Sequence, residues 1–310
     1  MSNMTSSLDI LKTFSDATVE LAGSISPSVV SVSRGMGGGT GVIWSSDGYV
    51  VTCNHVVHGG RKTKVGLGNG NDFDAKLVGR DPYTDIALLK IESEGLKPVE
   101  IGDSETLRVG EFVMALANPF NRQPAATSGM VTNVRTNLRG MRGMNLENVI
   151  VSDAKLNPGY SGGPLIDASG KMIGMNAAFA WGRGIAVPIS VVKEVVERLM
   201  KGGTVKRAYL GVLSNTFQIP EEVAKEAKLE QDTGVMVLSV EQGSPAKKAG
   251  LAFADIIVRF NDKPVTNVYD LPRALSEDVV GKKSKIGVLR GEKLIELTAT
   301  LIEAKPEETD

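Results

Sequence analysis

The chain is poor in the residues that build disulfide frameworks and metal clusters. Its 310 residues include one cysteine, Cys53, and two histidines, His55 and His58. A single cysteine excludes an intrachain disulfide and a zinc site of paired cysteines, and two histidines argue against a histidine cluster. We therefore expect no bound metal and no cofactor. Cys53 lies in an apolar, strand-like run, which favours a small buried side chain over a reactive thiol.

The chain also lacks long apolar runs and an excess of one charge. The 35 basic and 36 acidic residues give a net charge of −1, which provides no general attraction to nucleic acid or to an anionic membrane. We accordingly expect no nucleic-acid partner. No stretch reaches the roughly 18 apolar residues of a transmembrane helix, and residues 1–21 lack the apolar core and cleavage site of a signal peptide. These absences favour a cytoplasmic protein.

The spacing of apolar residues divides the chain into two regions. Its length suggests about two domains. Residues 27–180 contain many short β-type runs separated by Gly, Asn and Asp, which is typical of a sandwich or a barrel. An amphipathic pattern over Ser190–Met200, with Ser190 as N-cap and Gly202-Gly203 after it, predicts a closing helix. Residues 207–303 mix strand-like runs with short helix candidates and form the second region.

One serine lies between glycines in a segment that reads Gly-Tyr-Ser161-Gly-Gly. Such a turn exposes a hydroxyl and aims backbone N–H groups at the point where an oxyanion would form during acyl transfer. Alone, this pattern is usually only a turn. Upstream, however, His55 ends one apolar run and Asp85 begins another, and the order His, Asp, Ser is the chymotrypsin-type order.

The chemistry of acyl transfer assigns a role to each of these residues. A serine hydroxyl needs an adjacent base, so His55 is predicted to take the Ser161 proton and to pass it to the leaving amine. Asp85 would hold the imidazole tautomer. The backbone N–H groups of Gly159 and Ser161 would form the oxyanion hole. His58 is the competing base, but it stands in a His-Gly-Gly turn and is disfavoured.

Several segments resemble the HtrA/Deg family of trypsin-like serine proteases. In the first region they are Thr52–Val56, Asp81–Lys90, Asp153–Leu165 and Gly184–Pro188. In the second region, Tyr209-Leu-Gly-Val is similar to the carboxylate-binding loop of a PDZ domain. Gly243–Leu251 followed by Asp255–Val258 resembles a PDZ helix and its following strand. The resemblance extends from about residue 23 to residue 303.

The resemblance implies a mainly β protein in which a chymotrypsin-like double β-barrel protease domain precedes an α+β PDZ domain. The expected segments are an N-terminal helical segment (1–22), the protease domain (23–203), the PDZ domain (207–304) and an acidic tail (305–310). Members of the family are ATP-independent endoproteases that degrade unfolded or misfolded proteins, often with chaperone activity. They commonly form trimers through N-terminal segments, for which residues 8–22 with Phe14 are the candidates here.

The PDZ resemblance also implies a peptide-binding groove. An exposed sheet edge can accept an extended peptide, and backbone N–H groups can capture its C-terminal carboxylate. The helix candidates in this region are Ser244–Leu251 and Val268–Glu277. An alternative is that this domain binds no peptide and only positions the protease domain. The predicted groove residues are Tyr209, Leu210, Gly211 and Val212 at the loop and edge, and Leu271 and Leu275 on the helix.

The primary specificity pocket is assigned by the same resemblance. Leu156 and Phe179 fall where the family lines this pocket, and no acidic residue is present there to bind Lys or Arg. We therefore expect cleavage after small or medium aliphatic residues. Lys155 lies nearby in the sequence, and the sequence does not indicate whether its side chain points toward this pocket.

Two features depart from relatives of this kind. Tyr160 precedes the nucleophile, where the family usually has asparagine, and its bulk could alter the oxyanion turn or the cleft. The segment Gly35–Gly39, with glycines that suggest a mobile loop, is too short for the long regulatory loop of some relatives. We therefore expect no large cages of trimers.

Two other classes of function compete with the protease. One is a chaperone or PDZ-based binding protein with a dormant active site, which the presence of all three triad residues disfavours. The other is a hydrolase of small esters, which the PDZ domain and the chymotrypsin-type order disfavour. Because most bacterial relatives work in the cell envelope, that compartment is the alternative to the cytoplasm.

Overall fold

The computed structural model describes residues 7–35, 37–58, 62–68, 70–119, 124–139, 145–180, 183–202, 208–267, 270–275 and 279–304. The chain divides into two compact units, residues 1–205 and residues 206–310. Strands dominate both units, so the mainly β fold class is confirmed. The acidic tail predicted for residues 305–310 lies outside the described residues.

The first barrel carries the histidine and the aspartate. Its strands are β1 (Val29–Arg34), β2 (Gly37–Ile43), β3 (Tyr49–Cys53), β4 (Thr63–Gly66), β5 (Asp72–Asp81) and β6 (Ile86–Lys90). They close in the order β1-β2-β3-β6-β5-β4. Fully buried aliphatic residues such as Val42, Val51 and Leu88 fill the interior. Since β3 pairs with β6, the residues that follow β3 lie beside those that precede β6.

The second barrel carries the serine. Its strands are β7 (Phe112–Ala117), β8 (Ala125–Arg139), β9 (Asn145–Ser152), β10 (Pro164–Asp167), β11 (Met172–Ala180) and β12 (Arg183–Pro188). They close in the order β10-β11-β12-β9-β8-β7. A separate apolar cluster that includes Val113, Val131 and Leu165 fills this barrel. The segment between β9 and β10 contains the Gly-Tyr-Ser-Gly-Gly turn.

Three helices belong to the same unit: α1 (Ser7–Ile25), α2 (Asn54–Val57) and α3 (Ile189–Gly202), and a short 3-10 turn (Ser26–Ser28) follows α1. The apolar face of α3, which includes Val192, Val196 and Leu199, is buried against strands of both barrels. Near its end, α1 inserts Ile25 among Met114 and Ile166 of the second barrel. The helix α3 therefore buries its apolar stripe against strands, whereas α1 does so only near its end.

The second unit is a small α+β domain. Its strands are β13 (Ala208–Tyr209), β14 (Val212–Gln218), β15 (Thr233–Val240), β16 (Ile256–Phe260), β17 (Lys263–Pro264), β18 (Lys283–Arg290), β19 (Lys293–Thr300) and β20 (Ile302–Glu303). Its helices are α4 (Glu221–Glu226), α5 (Pro245–Ala249) and α6 (Asp270–Ala274). The main sheet runs β14-β15-β16-β18-β19, and β13 pairs with β20. Among the described strands, β14 is therefore an edge.

A buried carboxylate links two parts of this second unit. Asp255 is almost fully buried, and its two oxygens accept hydrogen bonds from Arg290 Nε at 2.7 Å and Nη2 at 2.8 Å. Arg290 Nη2 also donates to the Gly250 carbonyl at 2.7 Å. A buried carboxylate is tolerated only when it is paired and hydrogen-bonded in this way. The ion pair therefore fixes the end of α5 against β18.

Two local predictions are wrong. The glycines at 37–39 do not form a loop, because β2 already begins at Gly37 and pairs with β1 from Arg34 onward. A Cβ on Gly39 would lie 2.8 Å from the Ser161 carbonyl oxygen, so glycine is required there by close packing. Ser190 lies inside α3, which begins at Ile189, and its backbone N–H donates to Ser104 Oγ at 3.3 Å. Ser104 therefore takes the capping role predicted for Ser190.

Candidate active site

The strand pairing of the first barrel brings His55 and Asp85 together. Cys53 at the end of β3 faces Ile86 at the start of β6. His55 follows in the short helix α2, and Asp85 stands in the turn before β6 with a left-handed backbone (φ 57°). The Asn54 N–H donates to the Asp85 carbonyl at 2.9 Å and closes this corner.

Two hydrogen bonds orient the imidazole of His55. Its Nδ1 lies 2.6 Å from Asp85 Oδ2, and its backbone N–H donates to Asp85 Oδ1 at 2.9 Å. The Asp85 side chain is 1% exposed and the His55 side chain 42% exposed. Because a carboxylate faces Nδ1, that nitrogen carries the proton and Nε2 is left as an acceptor. This arrangement prepares the ring to act as a general base.

The second barrel places Ser161 against this corner. The Ser161 carbonyl accepts a hydrogen bond from the Thr40 N–H of β2 at 2.9 Å, and Gly162 N–H donates to Asn176 O at 2.7 Å. The Ser161 hydroxyl donates to the Ala177 carbonyl at 3.1 Å. Among the described residues, no hydrogen bond joins Ser161 Oγ to His55. Catalytic hydrogen bonds are often long or misaligned before substrate binds.

A tight turn closed by a backbone hydrogen bond precedes the serine. Tyr160 N–H donates to Asn157 O at 3.1 Å, and Gly159 has φ 96°. A hydrogen bond over four residues with proline second and a left-handed glycine third is typical of a type II turn. The N–H groups of Gly159 and Ser161 donate to no described residue. Two backbone donors are thus available beside the serine hydroxyl.

Tyr160 does not enter the cleft. Its side chain is 4% exposed and packs in the second-barrel core with Leu156 and Leu165. Burial raises the pKa of the Tyr160 phenol, and a hydrogen bond with Thr127 opposes that shift. The unusual residue before the nucleophile is therefore an anchor that attaches the turn to the barrel core.

The predicted pocket residues lie on the second barrel. Leu156 is buried and lies close to Gly184, on which a Cβ would be 3.2 Å from Leu156 Cγ. Phe179 lies on β11, paired with Gly184 of β12, and its side chain lies outside the described part. Lys155 is exposed. Gly184 thus lies next to the Leu156 side chain and pairs through its backbone with Phe179.

Cys53 is inert in this environment. Its side chain is fully buried, and its thiol donates to the Asn176 carbonyl at 3.4 Å. Burial, followed by the nearby Asp85 charge, raises the pKa of the Cys53 thiol well above its usual range. The donor atoms of Cys53, His55 and Asp85 lie within 4.8 Å of one another. A metal would need the thiolate, which this environment opposes.

His58 does not compete for the role of base. Its Nδ1 lies 2.9 Å from Arg80 Nη1, and an arginine N–H can only donate. Sequence analysis missed a different group of residues, the buried polar side chains of Thr40, Asn118 and Asn176. Thr40 Oγ1 donates to the Gly159 carbonyl, Asn176 Nδ2 donates to the Pro164 carbonyl of β10, and Asn118 Nδ2 donates to the Val29 carbonyl of β1. No spacing rule marks such residues, because their partners are main-chain atoms distant in sequence.

The predicted groove residues gather at one end of the second unit. The Leu210 carbonyl accepts from Ala246 N–H at 2.9 Å, and the Gly211 carbonyl accepts from Glu241 N–H at 3.0 Å. Val212 begins the edge strand β14. Leu210 and Leu271 are buried in the domain core, with Val212 and Leu275 packed against it. Tyr209 donates its hydroxyl to Glu241, and burial followed by that carboxylate raises the Tyr209 pKa to about 12.

Comparison with known proteins adds to this geometry. The trypsin-like peptidase domain family matches residues 39–175, and the PDZ domain family matches residues 217–301. A solved structure, the HtrA-type protease AlgW with tripeptide, is 32% identical with a TM-score of 0.79, covering 93% of this chain and 98% of that one. This chain belongs to the HtrA-type serine protease family.

Further members of the family give a similar result. The serine endoprotease from Yersinia pestis is 30% identical with a TM-score of 0.72, covering 92% of this chain and 98% of that one. The periplasmic serine endoprotease DegP of Escherichia coli K12 is 37% identical over 88% of this chain and 58% of the relative. A probable periplasmic DegP-like endoprotease of Chlamydia trachomatis is 39% identical over 87% and 55%. The chain thus spans little more than half the length of these curated relatives.

The expectation of a cytoplasmic location is wrong. The curated relatives are named periplasmic serine endoproteases, which points to the extracytoplasmic space. The expectation was based on what residues 1–21 lack, and the packing of a folded domain does not record its compartment. None of the described helices is long and apolar enough to cross a membrane.

Gly159→Ala should remove most catalytic activity. The added Cβ would lie 2.5 Å from Pro119 Cβ, in a backbone conformation that alanine rarely adopts. The turn must shift, and losing one oxyanion donor costs about 100- to 1000-fold in kcat. Hydrolysis of a chromogenic peptide measures the loss. Gly37→Ala is the matched control, since an added Cβ there meets no atom within 4 Å; equal rates for Gly159→Ala and wild type would exclude this turn as the oxyanion site.

Proposed function

We propose that this chain is an ATP-independent serine endoprotease that hydrolyses peptide bonds of unfolded or misfolded proteins through Ser161, His55 and Asp85. The observation that carries the proposal is the 2.6 Å contact between His55 Nδ1 and the buried Asp85 carboxylate. It leaves Nε2 as the acceptor on the side of the ring away from Asp85. Membership in the HtrA-type family supports the same reaction.

The reaction follows from these contacts. Ser161 Oγ attacks the scissile carbonyl while its proton passes to His55 Nε2, and Asp85 stabilises the imidazolium that forms. The N–H groups of Gly159 and Ser161 bind the tetrahedral oxyanion. His55 then gives the proton to the leaving amine. Water repeats the sequence on the acyl-enzyme, with His55 again as base.

The hydroxyl must change partner before the attack. In the structure the Ser161 hydroxyl donates to the Ala177 carbonyl at 3.1 Å. Because that carbonyl belongs to β11, beside the predicted primary pocket, a peptide placed there changes the surroundings of this bond. We propose that substrate binding turns the hydroxyl from Ala177 O to His55 Nε2.

Unfolded chains are the natural substrates for this arrangement. An extended peptide must present free backbone groups to the cleft, and folded proteins have nearly all such groups paired. Binding without cleavage would make the same protein a chaperone, which we propose as a second activity. Leu156, Gly184 and Phe179 line the primary pocket in this proposal, without an acidic residue.

Ser161→Ala should abolish the digestion of unfolded casein while leaving the fold unchanged. The alanine removes only the nucleophile, and the Ser161 hydroxyl makes one hydrogen bond in the structure. Casein digestion by wild type and variant is compared across a range of temperatures. The wild type should cleave, with peptide termini after Val, Ala or Leu when the digests are sequenced.

Three results would contradict parts of this proposal. Equal digestion by both proteins would place the chemistry elsewhere. Cleavage mainly after Lys or Arg would exclude the aliphatic pocket. No digestion by either protein, with aggregation of an unfolded client suppressed by both, would favour the binding protein with a dormant site.

The second unit supports a role in binding peptide C-termini. The outer edge of β14 is open among the described strands, and an extended peptide can pair with it. The N–H groups of Leu210 and Gly211 donate to no described residue and stand at the start of this edge. We propose that they bind the terminal carboxylate, with Leu271 and Leu275 lining the pocket for the last side chain.

A peptide with a free C-terminal carboxylate should bind the Ser161→Ala protein at least about tenfold more tightly than its C-terminal amide, because charge-assisted hydrogen bonds are stronger than neutral ones. Fluorescence anisotropy with one apolar-ended peptide in both forms measures the ratio. Gly211→Ala should remove the preference, since its Cβ would lie 2.3 Å from Ser244 Cβ. Gly243→Ala is the control, because it introduces a similar left-handed backbone strain (φ 77° at Gly243, 85° at Gly211) while no atom lies within 4 Å of its Cβ. Equal affinity for the peptide acid and the peptide amide would favour the alternative, in which this domain binds no peptide and only positions the protease domain.

The N-terminal helix supports assembly into trimers. Its apolar stripe is covered by the second barrel near Ile25. Towards the N-terminus the same stripe includes Ile10, Leu11 and Phe14, which are more than half exposed, although the Phe14 ring stands edge-on to Phe112 at 5.8 Å. We propose that copies of this chain cover the remainder, as the family resemblance implies.

Leu11→Asp should shift the protein from trimer to monomer, because a charge on an apolar contact must be desolvated. Lys12→Asp is the control, since Lys12 lies off the stripe and is exposed. Light scattering gives the mass of each protein. A monomeric wild type, or a cage of many trimers, would contradict the assembly proposed here.

A further inference from the structure

Thr40 connects the two barrels at the nucleophile turn. It lies on β2 of the first barrel and is fully buried. Its backbone N–H donates to the Ser161 carbonyl at 2.9 Å, and its hydroxyl donates to the Gly159 carbonyl at 2.7 Å. One side chain and one main-chain group of the same residue thus hold the carbonyls of both residues whose N–H groups form the proposed oxyanion hole.

The direction of the Thr40 hydroxyl proton is set by its neighbours. Asn118 N–H donates to Thr40 Oγ1 at 2.9 Å. Because a backbone N–H can only donate, the oxygen is the acceptor there, and its own proton goes to the Gly159 carbonyl. Thr52 Oγ1 in turn donates to the Thr40 carbonyl at 2.7 Å. The Thr40 hydroxyl therefore accepts from the Asn118 N–H and donates to the Gly159 carbonyl, and these two bonds fix its orientation.

These bonds hold alternate peptide planes of the turn. The plane between Gly159 and Tyr160 is held at its carbonyl by Thr40 and at its N–H by Asn157 O, 3.1 Å away. The plane after Ser161 is held at its carbonyl by Thr40 and at its N–H by Asn176 O. Peptide units are rigid planes. The plane that presents the Ser161 N–H is also held at its own carbonyl, Tyr160 O, by Gly163 N–H at 3.0 Å. The plane that presents the Gly159 N–H is oriented by the following plane, which Thr40 holds at the Gly159 carbonyl.

We propose that Thr40 is a positioning residue for the oxyanion hole, which ties the Asn118-Pro119 segment after β7 to the nucleophile turn through its hydroxyl. The inference rests on the proposed protease function. Pro119 contributes from the same segment, because it fills the space where a Gly159 Cβ would stand. Without the Thr40 hydroxyl, the Gly159 carbonyl loses its hydrogen bond and the Gly159–Tyr160 peptide plane can rotate. The N–H groups of Gly159 and Ser161 then no longer point at one oxyanion.

The test compares Thr40→Val, Thr40→Ser and Thr52→Val in the full chain. Valine keeps the shape of threonine and removes the hydroxyl, whereas serine keeps it. Thr52→Val removes a hydrogen bond of the same length at a fully buried site; that bond ends on the Thr40 carbonyl and not on a carbonyl of the turn, while the Thr52 side chain packs beside Gly162 in both proteins. Each variant is measured for kcat and KM on a peptide, for inhibition by a peptide aldehyde, for Ser161 labelling by a fluorophosphonate, and for melting temperature.

Thr40→Val should lower kcat by roughly 100-fold, the loss expected for one oxyanion donor. KM should change by less than about threefold, because the interaction acts in the transition state. The adduct of the peptide aldehyde carries an oxyanion. Its inhibition constant should therefore rise by the same factor by which kcat/KM falls. Thr40→Ser should restore most of the activity, and Thr52→Val should keep it.

The inference is overturned by any of several results obtained with an active wild type. These are an unchanged kcat for folded Thr40→Val, an equal loss in Thr52→Val, or a failure of serine to rescue. If the wild type cleaves no peptide but reacts with the fluorophosphonate, the proposed protease function fails, and the labelling rate of Thr40→Val still decides the role of Thr40. If the wild type does not react either, the turn holds no working oxyanion hole and both proposals fail.

Discussion

The buried carboxylate of Asp85 is the constraint around which the site is built. A charge that is 1% exposed must be satisfied by nearby donors. Here the donors are the backbone N–H and Nδ1 of His55, and both are available only because β3 and β6 pair in one register. A shift of one residue in that pairing would turn the apolar side chains of the shifted strand from the core to the outside. The core of the first barrel and the orientation of the imidazole are therefore specified together.

The second barrel solves a different problem, since it must hold main-chain groups rather than a side chain. The turn from Asn157 to Ser161 contains one backbone hydrogen bond of its own, from Tyr160 N–H to Asn157 O, and its other peptide groups are held by residues outside it. Tyr160 anchors it to the barrel interior from one side. Thr40 contacts it from the first barrel on the other side. Ser161 is thus supported by both barrels, which is consistent with a site at the place where they meet.

Much of the architecture could be predicted from the sequence, because the chemistry-bearing residues stand in short, ordered motifs. Ser161 between glycines, with His55 and Asp85 at the ends of apolar runs, predicts the chymotrypsin-type order of these residues, and the resemblance of the surrounding segments to the HtrA/Deg family implies the two barrels. What could not be predicted depends on contacts between distant segments. Gly37 and Gly39 read as a loop, yet they form part of β2, since a side chain at residue 39 would collide with the nucleophile turn. The helix cap predicted for Ser190 is supplied instead by Ser104, a residue far away in sequence. Compartment is not encoded in packing at all.

The buried Cys53 has a consequence for where this fold can operate. The only thiol of the chain is fully enclosed between β3 and β11, and no disulfide contributes to either unit. The stability of the chain therefore comes from non-covalent contacts alone and is independent of the redox poise of its surroundings. A protease of this kind can acquire its fold in a reducing compartment and keep it unchanged in an oxidising one.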